Sequence, residues 1–254
     1  MPLVQFNRRR FLSNATLAAT ASSRIVRALA RPHRNQIAFV GIVVQEGSGN
    51  SPEQGSIEVY RVNDGQWQFS SSIPAAAPSA LAIHPVLPVL YVVHGAREYQ
   101  HRPRGTVSAF RIHTAEASLT PLSHEPLSLA AIAPDRIAVA PNGAHLAVAS
   151  NHASIVNLFK LSSDGALMSA PAPIKLPSFS ALPFRIAFHP SSSAVLAITS
   201  DRVERLGIQP DSSLLREPVT QRCFPQDGVD EQPGILLQQK LAALHAASFA
   251  LLTL

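Results

Sequence analysis

Three copies of an eight-residue signature, each followed by further strand-like runs, predict an all-β chain of stacked sheets, a β-propeller. The signature reads Pro, two variable residues, an apolar residue, Ala, an apolar residue, one more, and Pro, and it occurs at 78–85, 134–141 and 183–190. The closing prolines Pro85, Pro141 and Pro190 lie 56 and 49 residues apart. A period near 50 with several strands per unit is propeller spacing, because one such sheet cannot bury both faces alone and its neighbours must stack on it. Composition agrees. The chain has 254 residues, 46% apolar, with 21 Pro and 12 Gly, so it is built to hold a core and to turn often. The single cysteine, Cys223, excludes an intramolecular disulfide framework and has no reactive-site motif around it.

Each unit contributes a buried strand inside the signature, then an apolar run, then an alternating strand. The apolar runs are 90–93, 146–149 and 195–198, and the alternating strands are 105–112, 154–159 and 202–208. Residues 37–44 and 55–62 read as an earlier copy of the last two strands. Asn63-Asp64-Gly65 and Ser163-Asp164-Gly165 supply turn chemistry, where Asp and Gly tolerate the left-handed backbone a tight turn needs. The blades are therefore expected over 35–215, with about four recognisable. Residues 216–254 carry no blade signature, and the apolar stretch from Pro233 to His245 and on to Leu254 predicts a helical tail.

The first 34 residues are a separate region. They hold seven of the 21 Lys and Arg and no acid, so the rest of the chain has 14 bases against 16 acids. The basic balance belongs to this leader and is no argument for a nucleic-acid partner. Asn7-Arg8-Arg9-Arg10-Phe11-Leu12-Ser13, followed by a mildly apolar run and small-x-small sites ending at Ala21 and Ala30, predicts a twin-arginine export signal over 1–34. A periplasmic or secreted location follows, or a cytoplasmic one if the leader is not cleaved. No uncharged apolar stretch of spanning length precedes the tail, so no transmembrane span is expected.

The segment His94–Ile112, with its Val107-Ser108-Ala109-Phe110, and the following Leu119-Thr120-Pro121-Leu122 resemble the lactonase family of seven-bladed propellers, which includes 6-phosphogluconolactonase-like enzymes. Pro141-Asn-Gly-Ala-His-Leu-Ala-Val-Ala149 is similar to that family's blade opening. The resemblance runs over roughly 37–215 and implies hydrolysis of a sugar lactone, such as 6-phosphogluconolactone, to its acid, without a cofactor. This chain departs from the pattern in three places. About four blades are recognisable where the family has seven. Arg136 and Phe184-Arg185 stand where relatives carry His, and His94-Gly95 stands where they carry Asn-Glu.

In a propeller the innermost strand starts at the end of the blade where the second strand finishes. Ala80, Arg136 and Arg185, each two residues after a signature proline, are thus expected to ring one mouth, overhung by the loop with His94, Arg97, Glu98, Tyr99, His101, Arg102 and Arg104. Such a cationic mouth suits a small anionic or sugar-lactone ligand. Lactone hydrolysis needs a base for water and a positive group for the oxyanion. His94 or His101 are the candidate bases and Arg136 or Arg185 the candidate electrophiles; Arg97, Glu98, Arg102 and Arg104 are the candidate substrate contacts. The spacing His94, Glu98, His101 would suit metal ligands on a helix, but it lies in a Gly- and Pro-bounded loop, and no metal is expected. His84 and His189 precede prolines and are expected to cap strand ends. Two readings from other classes stay open: a non-catalytic propeller that binds a ligand or protein, and a degraded lactonase relic. Four blades leave open faces, so self-association through blade edges is expected of any of them.

Overall fold

The structure is a computed structural model and describes residues 36–44, 54–168, 173–176, 184–198, 202–217, 221–222 and 248–253. The expected leader over 1–34 and most of the expected helix after Pro233 lie outside the described residues.

The described chain is all strand, arranged as four antiparallel sheets of the propeller type. Blade 1 contains β1 (Gln36–Val44), β2 (Gln54–Asn63) and β3 (Gln66–Pro74), and blade 2 contains β4 (Pro78–Ile83), β5 (Val89–His94), β6 (Thr106–His113) and β7 (Ser118–Pro126). Blade 3 contains β8 (Arg136–Val139), β9 (His145–Ser150), β10 (Ile155–Lys160) and β11 (Ile174–Lys175). Blade 4 contains β12 (Arg185–Phe188), β13 (Ala194–Ile198), β14 (Arg202–Ile208) and β15 (Leu214–Arg216), with β16 (Gln221–Arg222) pairing the start of β14. The last described strand, β17 (Ser248–Thr253), returns to blade 1 and pairs with β1, giving the order β17-β1-β2-β3.

The sequence reading found three strands per unit and missed the fourth, outermost one. β3 shows why: its residues are exposed or half-exposed along its length, and the alternation of Trp67 and Phe69 breaks off at Ser70-Ser71-Ser72. Its position comes instead from the turn before it, where Asp64 and Gly65 have φ of 50° and 78° and close a two-residue hairpin between Asn63 and Gln66.

Stacking explains the sequence pattern of the inner strands. In β5, Val89, Tyr91 and Val93 join the apolar layer against blade 3, whereas Leu90 and Val92 join the layer against blade 1. In β9, Leu146 and Val148 face blade 2, and Ala147 and Ala149 face blade 4. Successive residues of a strand point to opposite faces, so a strand buried on both sides must be apolar at every position. Three layers result, one between each pair of consecutive blades. The innermost strands β17, β4, β8 and β12 lie side by side in that order and form the inner wall.

The tail corrects one expectation. Residues 248–253 are not the end of a helix but an antiparallel strand, in register from Gln36↔Thr253 to Gly41↔Ser248. The physical reason is the inner edge of β1. Blade 1 begins with its second strand, so without a partner that edge would present a row of unpaired N–H and C=O groups. Deleting residues 248–254 should therefore unpair β1 and shift the purified protein to the void volume in size-exclusion chromatography; an unchanged monodisperse peak would contradict the closure.

Polar stitches hold the blades at the end where β4 runs into β5. His84 Nδ1 accepts the Val86 and Leu87 amides at 3.1 and 2.9 Å, which leaves Nε2–H to donate to Gly143 O of blade 3 at 3.1 Å. His84 thus caps a strand end, as its sequence position suggests. One blade further on, the Asn142 amide donates to Ser192 Oγ at 3.1 Å. Gly143 has φ of 70°, and a Cβ there would meet the His84 ring at 2.5 Å. Gly143→Ala should cost about 1–3 kcal/mol, measurable as a drop in the urea midpoint with little change in slope.

Candidate functional site

The opposite end of the blades, where β4, β8 and β12 begin, carries the predicted cations. Ala80, Arg136 and Arg185 occupy equivalent places on adjacent inner strands. Ala80 packs against the layer shared with blade 3. Arg136 is partly buried, and its Nη1 donates to the Asp135 carbonyl at 2.8 Å and lies 3.0 Å from Asp135 Oδ2. Arg185 is exposed, with no hydrogen-bond or ion-pair partner among the described residues.

Asp135 is itself held. Its Oδ1 accepts the Asn151 amide at 3.1 Å, and its Oδ2 accepts Asn151 Nδ2 at 2.8 Å. Asn151 Oδ1 then accepts the Phe184 amide at 3.1 Å, across the gap to blade 4. Neither Asp135 nor Asn151 was singled out from the sequence. The available signal was that Asp135 sits at a variable position of the signature, where the other copies have Ser79 and Phe184.

The 95–105 loop overhangs this end, as expected. Backbone hydrogen bonds stitch it to the 127–135 connection that leads into Arg136: Gly105 N to Ala131 O at 3.0 Å, Ala130 N to Pro103 O at 2.9 Å, and Ala133 N to Ala96 O at 3.3 Å. Its tip is a small hairpin, with Tyr99 and Arg102 paired and Gln100 and His101 at φ of 51° and 57°. Two consecutive non-glycine residues in the left-handed region cost of order 1–3 kcal/mol each, so the loop is held by its surroundings. Arg97 and Arg102 are exposed, and Arg104 is half-buried with its Nε unpaired. The His101 side chain is fully exposed, with Nδ1 3.4 Å from Glu98 Oε1; an exposed pair of this kind contributes little to stability.

The two candidate bases are therefore in different surroundings. His94 is buried at 6% exposure and does not open onto the mouth. Its Nδ1 donates to Ala76 O at 2.7 Å, so Nε2 accepts from Ser108 Oγ at 2.8 Å; Ser108 in turn accepts from His124 Nδ1 at 2.8 Å. This polar row runs from the middle of blade 2 to its outer strand, where the Tyr99 and His124 rings lie 5.4 Å apart. It ties the loop, β5, β6, β7 and the 75–77 connection together. The sequence reading had singled out His94 but missed Ser108 and His124.

Burial disfavours the imidazolium and pushes His94 down to about 4, with nearby His124 acting in the same direction and the Ala76 bond opposing it. His124 is also lowered, first by burial. The unfolded chain takes up a proton at His94 near pH 6.5 and the folded one only near 4, so stability rises with pH across that window and is flat below it. Lowering the pH from 7 to 4 should cost about 3 kcal/mol through this group. His94→Asn should flatten the urea-midpoint profile over the same range; an unaltered profile would place the dependence elsewhere.

Among the described residues, no group of three or more His, Cys, Asp or Glu is placed to hold a metal ion. No helix among them is long and apolar enough to cross a membrane.

Sheets of four strands, stacked face to face around an inner wall with the signature at three of the four inner strands, define a β-propeller blade array. The family described as "Lactonase, 7-bladed beta-propeller" matches residues 43–178, more than half of the chain, and the chain belongs to that family. It is similar to a candidate 6-phosphogluconolactonase from Bacteroides uniformis, at 19% identity and TM-score 0.58, over 73% of this chain and 54% of that one. A second candidate 6-phosphogluconolactonase, from Bacteroides fragilis, matches at 20% identity and TM-score 0.55, over 74% and 55%. A periplasmic gluconolactonase from Pseudomonas aeruginosa matches at 19% and 0.51, over 71% and 56%. The chain thus spans about half the length of the structures it matches. At these identities the likeness is one of fold. No curated protein matches the chain.

Proposed function

We propose that this protein is a lactonase-type hydrolase that opens a sugar lactone bearing an anionic group, such as 6-phosphogluconolactone, to its acid. The observation that carries the reading is the cationic mouth itself. Arg136 is held at the start of β8 by Asp135, Arg185 stands at the equivalent place on β12, and Arg97 and Arg102 project from the loop stitched above. Arg136 and Arg185 are the groups to receive the lactone's carbonyl oxygen or its anionic substituent, since guanidinium forks bind oxyanions through two parallel N–H donors. His101 is the group to take a proton from water, being open to solvent with Glu98 beside it. Water oxygen would add to the carbonyl carbon, the ring C–O bond would break, and the ring oxygen would leave as a hydroxyl with a proton returned to it. His94, buried and neutral, acts through the loop it anchors. Export through the twin-arginine-like leader belongs to the same proposal, as does self-association through blade faces.

A second reading, a non-catalytic binding propeller, is favoured by one observation: the chain spans about half of the structures it matches. One preparation separates the two. Lactone hydrolysis above the spontaneous rate, with kcat/KM reduced about 100-fold by Arg136→Ala or Arg185→Ala, supports the enzyme. Saturable thermal stabilisation by 6-phosphogluconate without turnover supports the binding module. Melting shifts that persist in the double Arg variant would sink the assignment of the anion site, and light scattering on the same fractions reads the assembly.

A further inference from the structure

The side chain of Asn151 is bonded in two directions. On one side it meets Asp135, the residue that holds the Arg136 guanidinium; on the other it accepts the amide of Phe184, the residue directly before Arg185. Its own amide is also fixed, on Asp135 Oδ1. Asn151 is partly buried, at the end of β9, where its amide group reaches from the blade that carries one arginine to the blade that carries the other. The equivalent junction between blades 2 and 3 is made differently, by Ser79 Oγ donating to Pro134 O at 2.6 Å, and Ala80 there offers no cation. The Asn bridge occurs where two consecutive inner strands both begin with arginine.

We propose that Asn151 is a positioning residue that fixes the starts of β8 and β12, and with them the strand positions of Arg136 and Arg185, relative to one another, so that the pair engages a doubly charged oxyanion such as a phosphate monoester in preference to a single carboxylate. The inference rests on the reading of the mouth as an anion site. A carboxylamide suits the task because it donates and accepts at once. Nδ2 must donate to a carboxylate, and Oδ1 must accept a backbone N–H, so neither Asp nor Ala can replace it. A carboxylate at 151 would face Asp135 and lose that donor. A doubly charged head group gains from two guanidinium groups only if their separation is set before it arrives, whereas a monoanion is satisfied by one.

The test compares binding of 6-phosphogluconate and gluconate by calorimetry to the full chain and to three variants. In the unaltered protein 6-phosphogluconate should bind at least ten-fold more tightly than gluconate. Asn151→Ala should erase most of that preference, weakening 6-phosphogluconate about ten-fold and gluconate less than two-fold. Ser192→Ala removes a tie between the same two blades at their opposite end, where Ser192 accepts the Asn142 amide. It should lower the melting temperature but leave the preference intact, which separates positioning from general stability. If Asn151→Ala yields no folded protein, Asp135→Asn keeps an oxygen for Asn151 while removing the negative charge that pairs with Arg136, and the same loss of preference is expected. An unaltered protein that binds neither anion overturns the anion site and this inference together. A preference that survives both Asn151→Ala and Asp135→Asn overturns the inference alone.

Discussion

Each junction between consecutive blades in this molecule is an apolar layer, and the described fold depends on the three layers that result. The constraint is visible in single strands. β5 sends Tyr91 and Val93 one way and Leu90 and Val92 the other, and all four are fully buried. Burying side chains of this size contributes about 1.5–3 kcal/mol each, so the stack as a whole outweighs any individual polar contact. The polar groups do a different job. They set the angle and depth at which the sheets meet, at His84 and Gly143 on one end and at Asn151 and Phe184 on the other. Tyr91 does both, filling the layer with its ring and donating its hydroxyl to Gly165 O at 2.9 Å, and burial raises its pKa far above the ordinary value.

The stacking constraint is also what made the fold legible. Residues that must be apolar on both faces leave continuous runs such as 90–93 and 146–149, and strand starts and turns recur at fixed places around them. The outermost strands left no such trace, because β3 and β15 are largely solvent-exposed and only a few of their side chains, such as Ile73 and Leu214, reach an apolar layer. The closing strand was misread for a related reason. Phe249-Ala-Leu-Leu252 is apolar without interruption, and a run of that kind fits a buried strand and a helix equally well. What decides between them is the unpaired edge of β1, some two hundred residues away in sequence.

The placement of the candidate residues was legible in the sequence, and their environment was not. The repeat placed Arg136 and Arg185 at the strand starts and the 95–105 loop above them. It could not tell a histidine facing the mouth from one facing the neighbouring blade, and His94 points inward because it continues the alternation of Leu90 and Val92 toward blade 1. The partners that hold the candidate residues, Asp135, Asn151, Ser108 and His124, are polar residues, on which apolar periodicity is silent. They become readable only when two blades are brought together, since most of their hydrogen bonds cross a strand or a blade boundary.

The pairing of β17 with β1 has a consequence for how the molecule is made. Blade 1 is assembled from strands more than two hundred residues apart, so it stays incomplete on the ribosome until the whole array behind it has been synthesised. Blades 2 and 3 are each continuous in the chain and can stack as they emerge, while β1 waits with one edge open to any passing strand. Completing blade 1 is therefore governed by the closure of a very large loop. The step most exposed to error is this closure, when a short strand must find its own first blade before that of another molecule.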